Sequence, residues 1–320
     1  MKSAHPDLPR YSRIAAYLPI LVAATFLMGS SFPTGKILLA KVPPFSLAGW
    51  RFVAAALATL PIALLASRSG RWIPSVAGSL RAGILVTVCI GLVQTGGTMG
   101  FLNLALRTLP ASTAAILLFS NPIWVALLGR SVLGERLSSI RWVGLVIGVV
   151  GVALTVGLSL RGDPAGVLLG LASSLCFAAA TLINKRFKPS VDSWVLTFWQ
   201  MLIGGCALLA VAVSLGEHWP QELAWSDWAC FWWLTIPAST GSFGLWFLAL
   251  QGAGATQASG FLFLAPVFAV LLSHLLLSEA LTLLQATGAF LVLAALWLLN
   301  YQRPERVSAR VIGTGRADEP

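Results

Sequence analysis

Thr95-Gly96-Gly97-Thr98-Met99-Gly100 is followed, 144 residues later, by Ser239-Thr240-Gly241-Ser242-Phe243-Gly244 (239 − 95 = 144). Both stretches combine glycines with small hydroxyl side chains, and both lie near the middle of a long apolar segment. The same offset aligns Pro122 with Pro266 and Glu135 with Glu279. In a chain this rich in leucine, matches of proline, glutamate and glycine are more informative than matches of leucine. The sequence therefore predicts one structural unit that is used twice.

The composition indicates a protein that is covered by lipid. Hydrophobic residues make up 57% of the chain and charged residues only 10%, whereas soluble domains carry roughly 25% charged residues. So few charges cannot form a water-facing surface. We therefore expect the lipid bilayer to be the main partner of the protein's outer surface. The net charge of +10 comes from basic residues in short loops between apolar segments. That placement follows the positive-inside rule and argues against nucleic acid as a partner.

The apolar segments predict an all-α membrane protein with ten transmembrane helices. A helix needs about 20 apolar residues to cross the hydrocarbon core of a bilayer. One long run, from Trp228 to Ser278, has no Asp, Glu, Lys or Arg, and we divide it at residues 251–254, where glycines and Gln251 favour a turn. The predicted spans are 14–35, 44–66, 82–106, 111–130, 142–160, 164–184, 193–215, 228–250, 255–278 and 281–301.

The loop charges predict that both termini are cytoplasmic. If the N-terminus is inside and the ten helices alternate in direction, sixteen Lys and Arg residues fall on the inner side and four on the outer side. An excess of this size decides the orientation, because cytoplasmic loops of membrane proteins are enriched in Lys and Arg. We therefore expect a multi-pass protein of a cell membrane, with the bacterial inner membrane as the expected location.

The repeat divides the chain into two five-helix units. A second offset, of 149, aligns Lys36 with Lys185 and Trp50-Arg51 with Trp199-Gln200 (200 − 51 = 149). We therefore predict a first repeat over residues 14–160 and a second over 164–301, flanked by a cytoplasmic tail at 1–13 and a disordered cytoplasmic tail at 302–320. Because five is odd, the second repeat enters the membrane from the opposite side. Inverted repeats are typical of secondary transporters, whose substrate site lies near the midplane.

Several motifs resemble the EamA repeat of the drug/metabolite transporter superfamily. In the first repeat they are Leu109–Ala115 (LPASTAA), Asn121-Pro122, Leu133–Leu137 (LGERL) and Gly144–Gly151 (GLVIGVVG). In the second repeat they are Ala255–Ser259 (ATQAS), Ala265-Pro266, Ser278–Thr282 (SEALT) and Gly288. The second repeat departs from the pattern in having Ala280 instead of Arg and in lacking the later glycines. The resemblance covers nearly the whole chain and implies export of amino acids or other small metabolites through a central cavity.

Polar side chains at membrane depth are the candidates for a binding site. Arg51 is the only Lys or Arg inside a predicted span; it is interpreted either as an anion-attracting group facing a cavity or as an anchor that extends to the membrane surface. The glycine-rich stretches are explained by helix packing alone or by a pathway between the repeats. We predict that the cavity is lined by Arg51, Gln94, Thr98, Asn121, Gln200, Ser239, Ser242 and Trp246.

Other residues are predicted to shape the helices. Pro122 and Pro266 each remove a backbone hydrogen bond in a span and are interpreted as hinges at the binding midplane or as static kinks. Glu135 and Glu279, at the ends of helices, suit a structural clamp between loops better than proton coupling, because no Asp or Glu lies in the middle of a span. The glycines at 144, 148 and 151 suit helix packing or a homodimer contact. The structural glycines are predicted to be Gly97, Gly100, Gly241 and Gly244.

A secondary transporter that exports small metabolites such as amino acids by alternating access is the function that the sequence predicts. An exchanger of phosphorylated or nucleotide-linked anions is an alternative, although it needs several Lys or Arg in the cavity. A membrane-embedded enzyme needs convergent His, Asp, Glu or Cys at membrane depth, and a passive scaffold leaves the repeated polar stretches unexplained. The chain has no phosphate-binding Walker motif and no metal-ligand spacing. We therefore expect a small-molecule substrate and no catalytic residue, metal or cofactor.

Overall fold

The computed structural model describes residues 10–67, 72–133, 139–157, 163–253, 261, 264–280 and 283–300. Within these ranges the chain is almost entirely helical and contains no strand. The helices are α1 (Arg10–Leu39), α2 (Pro44–Ala66), α3 (Leu80–Ile90), α4 (Thr98–Thr108), α5 (Ala111–Phe119), α6 (Asn121–Leu133), α7 (Ser139–Gly157), α8 (Pro164–Phe187), α9 (Ser193–Ser214), α10 (Trp225–Thr235), α11 (Ser242–Ala253), α12 (Leu264–Leu277) and α13 (Leu283–Asn300).

Six continuous helical segments, some of which join two of these helices, are long and apolar enough to cross a membrane within the described residues. They cover Tyr17–Leu39, Pro44–Leu65, Leu80–Thr108, Ala111–Gly129, Pro164–Phe187 and Ser193–Ser214. Shorter apolar helices cover Trp142–Gly151, Leu264–Leu277 and Ala286–Ala295. This content agrees with an all-α membrane protein, while the number of ten crossings and the cytoplasmic side of both termini stay predictions. The predicted break after Gln251 falls mainly at 254–260, outside the described residues.

Two π-helical turns occur within the described ranges, and they occupy matching places in the repeats. Gly91–Gly97 joins α3 to α4, and Ile236–Gly241 joins α10 to α11. Both end at a glycine of the repeated stretch, and 241 − 97 gives the offset of 144. A π turn inserts an extra residue into a helix and is frequent at functional sites. The sequence indicated that these stretches are unusual but did not predict the π geometry.

The helices pack in a pattern that follows the repeat. α2 packs along α9, and α7 packs along α13, so each of these pairs joins equivalent helices of the two repeats. α1 packs against α10, α11 and α12, which we call the α1 group. α8 packs against α3 to α6, which we call the α8 group. Each group takes one helix from one repeat and the rest from the other, so the groups, and not the repeats, are the compact units of the fold.

The pair α2 and α9 is held at backbone distance by glycines. A methyl group added at Gly205 in α9 would lie 2.9 Å from the backbone nitrogen of Val53 and 3.2 Å from the carbonyl oxygen of Gly49. A methyl group at Gly204 would lie 2.5 Å from the carbonyl oxygen of Gly91, at the start of the first π turn. Small residues allow this approach in a membrane, where van der Waals contact replaces the hydrophobic effect between helices. The α2–α9 pair is therefore a rigid seam beside the first π turn.

The four glycines predicted to be structural lie in tight surroundings. A methyl group at Gly97 would lie 2.9 Å from the sulfur of Cys176, and one at Gly100 would lie 3.1 Å from Leu208. At Gly244 it would lie 2.8 Å from the ring of Trp194, and at Gly241 3.3 Å from the carbonyl oxygen of Ile236. The distances at Gly97, Gly100 and Gly244 leave little or no room for a side chain between helices, as close helix packing requires, whereas the near atom at Gly241 belongs to its own π turn.

The predicted topology has a direct test in single cysteines at Thr108 and Pro189, introduced after the four native cysteines have been replaced. Thr108 is exposed at the end of α4, and Pro189 lies in the loop between α8 and α9. With both termini inside, a membrane-impermeant maleimide should label the first cysteine only from outside and the second only from inside. Labelling of both positions from the same side of intact cells or inverted vesicles would refute this topology.

Candidate functional site

A cavity of about 170 Å³ lies between the α1 group and the α8 group and is bordered by α2 and α9. Asn121 of the predicted lining residues does not line it. The other seven do, although their role in binding stays a prediction. They are Arg51, Gln94, Thr98, Gln200, Ser239, Ser242 and Trp246.

Most of the residues that line the cavity are related in pairs by the two repeat offsets. Both repeats therefore contribute equivalent positions to the cavity, which is what a site between two inverted repeats requires. The pairs at an offset of 149 are Met28 with Phe177, Arg51 with Gln200, and Phe52 with Met201. The pairs at an offset of 144 are Gln94 with Ala238, Thr95 with Ser239, Thr98 with Ser242, Met99 with Phe243, and Leu102 with Trp246.

Arg51 is the only charged residue among the described residues that line the cavity. Its side chain lies within the protein, with a residue exposure of 8%. Its Nε donates a hydrogen bond of 3.1 Å to Oγ of Ser239, and its guanidinium carbon lies 4.9 Å from the ring centre of Phe52. No carboxylate pairs with it in the part of the chain that the structure describes. A charge placed here costs free energy that an anion in the cavity would recover.

The hydroxyl groups that were predicted to line the cavity mostly donate hydrogen bonds to carbonyl oxygens of their own helices. Ser239 Oγ donates to the carbonyl oxygen of Leu234 at 2.8 Å while it accepts the Arg51 Nε–H. Ser242 Oγ lies 2.9 Å from the carbonyl oxygen of Ala238, and Thr98 donates to its own helix in the same way. The π turn at Ile236–Gly241 therefore holds Ser239 so that it can fix one edge of Arg51.

Two side-chain amides in the cavity remain available. Gln94 lies in the first π turn and Gln200 in α9, and both are partly buried. Neither amide makes a hydrogen bond with another described residue. An amide offers both donors and an acceptor, so this pair can bind a neutral polar group of a ligand beside the charge of Arg51.

The rest of the wall is mostly apolar, with Ser31, Thr95 and Asn103 as its further polar residues, and sequence reasoning missed most of it. Aromatic and sulfur-containing side chains surround the polar groups, and such walls suit the apolar part of a small ligand. An apolar residue in an apolar helix is not distinguished by its sequence. The offset of 149 that pairs Arg51 with Gln200 also pairs Met28 with Phe177, so it could have identified these two as lining residues. The aromatic and methionine residues of the wall are Met28, Phe32, Phe52, Met99, Phe119, Phe177, Met201, Phe243 and Trp246.

At one end of the bundle, Glu279 connects the two groups. This end, which we call the outer end because the predicted topology places it outside, contains residues 40–43, 109–110, 215–224 and 278–280. The carboxylate of Glu279, just after α12, accepts hydrogen bonds from the backbone nitrogens of Ala111 at 2.6 Å and Ser112 at 3.1 Å, and from Oγ of Ser112 at 2.6 Å. It thereby caps the N-terminus of α5, where a negative charge is favourable. The partner of Glu279, which was predicted to clamp two loops, therefore lies in the first repeat.

A lysine binds the same loop from the other side. Nζ of Lys36, near the end of α1, donates to the carbonyl oxygen of Leu106 at 3.1 Å and to that of Leu109. These carbonyls end α4, where a positive charge is favourable. Glu279 and Lys36, both of the α1 group, therefore hold the α4–α5 loop of the α8 group. The packing agrees, because α1 contacts α4 and α5, and α12 contacts α5.

Two further acidic residues of the second repeat bind the first repeat at this end. Glu217 accepts a hydrogen bond of 2.7 Å from the backbone nitrogen of Ser46, in the first turn of α2. Asp227 lies 2.7 Å from Nζ of Lys41 and accepts the backbone N–H of Ala224. The hydrogen bond from Lys41 holds the pKa of the Asp227 carboxyl below its ordinary value, so this carboxylate stays charged at neutral pH.

The predicted hinge residues lie outside the cavity lining. The helix that begins at Ala111 is interrupted at Ser120, two residues before Pro122, and Ser120 Oγ lies 3.2 Å from Oγ of Ser174 in α8. Pro266 is buried and borders a separate apolar groove with α13. Glu135 lies outside the described residues. A hinge at either proline stays a prediction.

Comparison with known proteins agrees with this architecture. The model of the EamA-like transporter family matches residues 16–157 and again residues 164–301. An uncharacterized transporter of Synechocystis sp. is 30% identical over 311 residues, which cover 91% of this chain and 92% of that protein. A "Probable amino-acid metabolite efflux pump" of Salmonella typhimurium is 28% identical over 316 residues, covering 94% of this chain and 100% of that protein. A solved crystal structure with 19% sequence identity has a TM-score of 0.60, covering 89% of this chain and 96% of that chain.

The chain therefore belongs to the EamA-like transporter family, as its motifs indicated. The family and the apolar helices together make it a multi-pass membrane protein. The solved structure shows that the fold is shared and carries no information on the substrate.

The cap formed by Glu279 can be tested with Glu279→Gln. The substitution removes the negative charge that the N-terminus of α5 and the Ser112 hydroxyl bind, so we expect the variant to lose about 1–2 kcal/mol of stability. Thermal unfolding followed by size-exclusion chromatography should show a lower midpoint. The control is Glu222→Gln, which removes the same charge from an exposed side chain without a hydrogen bond to a described residue. Equal midpoints for the two variants would contradict the capping role.

Proposed function

We propose that this protein is a secondary transporter that exports small organic metabolites, such as amino acids, across a bacterial inner membrane by alternating access. The observation that carries the proposal is the cavity between the α1 and α8 groups, with Arg51 buried in its wall and lining residues paired by the repeat. A site on the pseudo-two-fold can be exposed to either side by equivalent movements of the two groups.

The proposed movement is a rocking of the α1 group against the α8 group. In this conformation the groups meet at the outer end, through the contacts of Glu279 and Lys36 with the α4–α5 loop. A hydrogen bond contributes about 0.5–1.5 kcal/mol net, and about 1.5–3 kcal/mol where one partner is charged. A substrate that binds more tightly when these contacts are open can therefore shift the equilibrium. The α2–α9 seam, with its backbone contacts, is the natural support around which the groups turn.

The alternatives have less support in the cavity. An exchanger of phosphorylated solutes needs several cations at the site, whereas Arg51 is the single cation among the described lining residues. A membrane-embedded enzyme needs a general acid, base or nucleophile, and the described lining offers no Asp, Glu, His or Cys. A passive scaffold gives no reason for a buried arginine in a cavity.

The proposal can be tested by comparing solute flux into proteoliposomes through the wild type and through Leu102→Trp, whose side chain fills the cavity. Leu102 lines the cavity in the position that Trp246 holds in the other repeat, so a second indole there should occlude the site. Wild-type protein should move at least one solute from a panel of amino acids, organic acids, nucleobases and organic cations, with and without a pH gradient. The variant should reduce that flux to the level of protein-free liposomes.

The matched control is Leu85→Trp, which places the same side chain at a residue that is 70% exposed on the outside of α3. It should transport like the wild type. A second cavity variant, Met28→Trp, serves if Leu102→Trp unfolds, as judged by size-exclusion chromatography. Unchanged flux in folded cavity variants, or no flux of any solute with folded wild-type protein, would count against the proposal.

A further inference from the structure

We propose that the cavity selects monoanionic carboxylates with an apolar body over the zwitterionic amino acids of the same carbon skeleton. This inference rests on the proposed transport function and narrows its substrates from small metabolites in general to carboxylates without a free α-amino group. It follows from the charge of the cavity, from the geometry of Arg51, and from the groups that remain free to bind a ligand.

The charge of the site is the first observation. Arg51 is buried, and no acidic residue stands among the described residues that line the cavity. A monoanion brings the total charge of the occupied site to zero, a zwitterion leaves it at one positive charge, and an organic cation raises it to two. Burying net charge in a low-dielectric site is unfavourable. The monoanion is therefore the ligand that the site stabilises best.

The geometry of the guanidinium is the second observation. Nε of Arg51 is occupied by Ser239, which is held in turn by the carbonyl oxygen of Leu234. Neither terminal nitrogen makes a hydrogen bond with a described residue, so the outer edge of the guanidinium has its donors free. Two parallel N–H donors match the two oxygens of a carboxylate. Ser239 thus positions Arg51 for a carboxylate without using the donors that would bind it.

The remaining groups define the body of the ligand. The amides of Gln94 and Gln200 can bind a neutral polar group such as an amide or a hydroxyl, but they cannot neutralise an ammonium group. The hydroxyls of Thr98 and Ser242 already donate to their own helices. Most of the wall is apolar, and its aromatic and methionine side chains include Phe243 and Trp246. An aromatic or aliphatic acid whose α-amino group is absent or acylated fits these partners.

Four ligands with one phenyl body separate the effect of charge from that of shape. They are 3-phenylpropionate, N-acetylphenylalanine, phenylalanine and phenethylamine, measured by isothermal titration calorimetry on the purified full-length protein at neutral pH. The two carboxylates without an ammonium group should bind at least about tenfold more tightly than phenylalanine, because only they leave the site uncharged. Phenethylamine should bind most weakly. Phenylalanine binding as tightly as N-acetylphenylalanine would overturn the inference.

Variants of Arg51 test whether it is the source of this selectivity. Arg51→Gln should remove the preference for the two anions, whereas Arg51→Lys should keep the order of the ligands with weaker binding, because it keeps the charge and loses the fork. Arg107→Gln removes a positive charge from an exposed position at the end of α4 and should change nothing. If Arg51→Gln unfolds, Arg51→Lys still decides: a reversed order of ligands in that variant contradicts the proposal.

Flux distinguishes this inference from the proposed function. N-acetylphenylalanine should enter proteoliposomes faster than phenylalanine, after the flux into protein-free liposomes is subtracted. If the order of binding holds but no ligand is moved, the selectivity stands and the transport proposal fails. If phenylalanine is moved in preference to N-acetylphenylalanine, the transport proposal stands and the inference about the substrate fails.

Discussion

A bilayer offers no water to polar groups, and this constraint decides where each of them lies in the structure. Every buried donor, acceptor or charge must find its partner inside the protein. Glu279 and Lys36 satisfy this condition at the ends of α5 and α4, and Ser239 satisfies it for one edge of Arg51. The free edge of Arg51 and the amide of Gln200 are left facing the cavity. A ligand in the cavity can satisfy these groups. Among the described residues, the buried hydroxyls of Ser67, Thr87 and Ser273 also lack a partner, and they lie outside the cavity lining.

The two repeats place equivalent positions around the cavity, but the residues at those positions differ. The same two offsets relate the two π turns and the paired residues of the cavity wall. Within the pairs, however, the residues differ: Gln200 is the equivalent of Arg51, and Trp246 is the equivalent of Leu102. A second arginine at the position of Gln200 would add a like charge to the buried site and repel the first. In the proposed mechanism the repeat lets the site open to both sides, and the differences between the copies set what it binds.

The sequence predicts the helical class and most of the polar lining, because charge and polarity stand out in apolar helices and because the copies can be compared. Asn121 was expected in the lining and does not lie there, since the helix is interrupted at Ser120 and the local direction of a side chain cannot be read from polarity. Glu279 shows the second limit. Its partner Ser112 is 167 residues away, and no local pattern encodes a cap supplied by the other repeat. The grouping of helices from both repeats is likewise a property of packing.

In the proposed mechanism, transport requires the two groups to separate at the outer end. Cysteines at Ser112 and Glu279, in a protein without native cysteines, place two thiols where the side chains now lie 2.6 Å apart. A short, reducible bis-methanethiosulfonate should join them, and flux through the joined protein in proteoliposomes is the decisive measurement. We predict that crosslinking stops the flux and that reduction restores it to the level of the same protein before treatment. Undiminished flux through fully crosslinked protein would contradict the account.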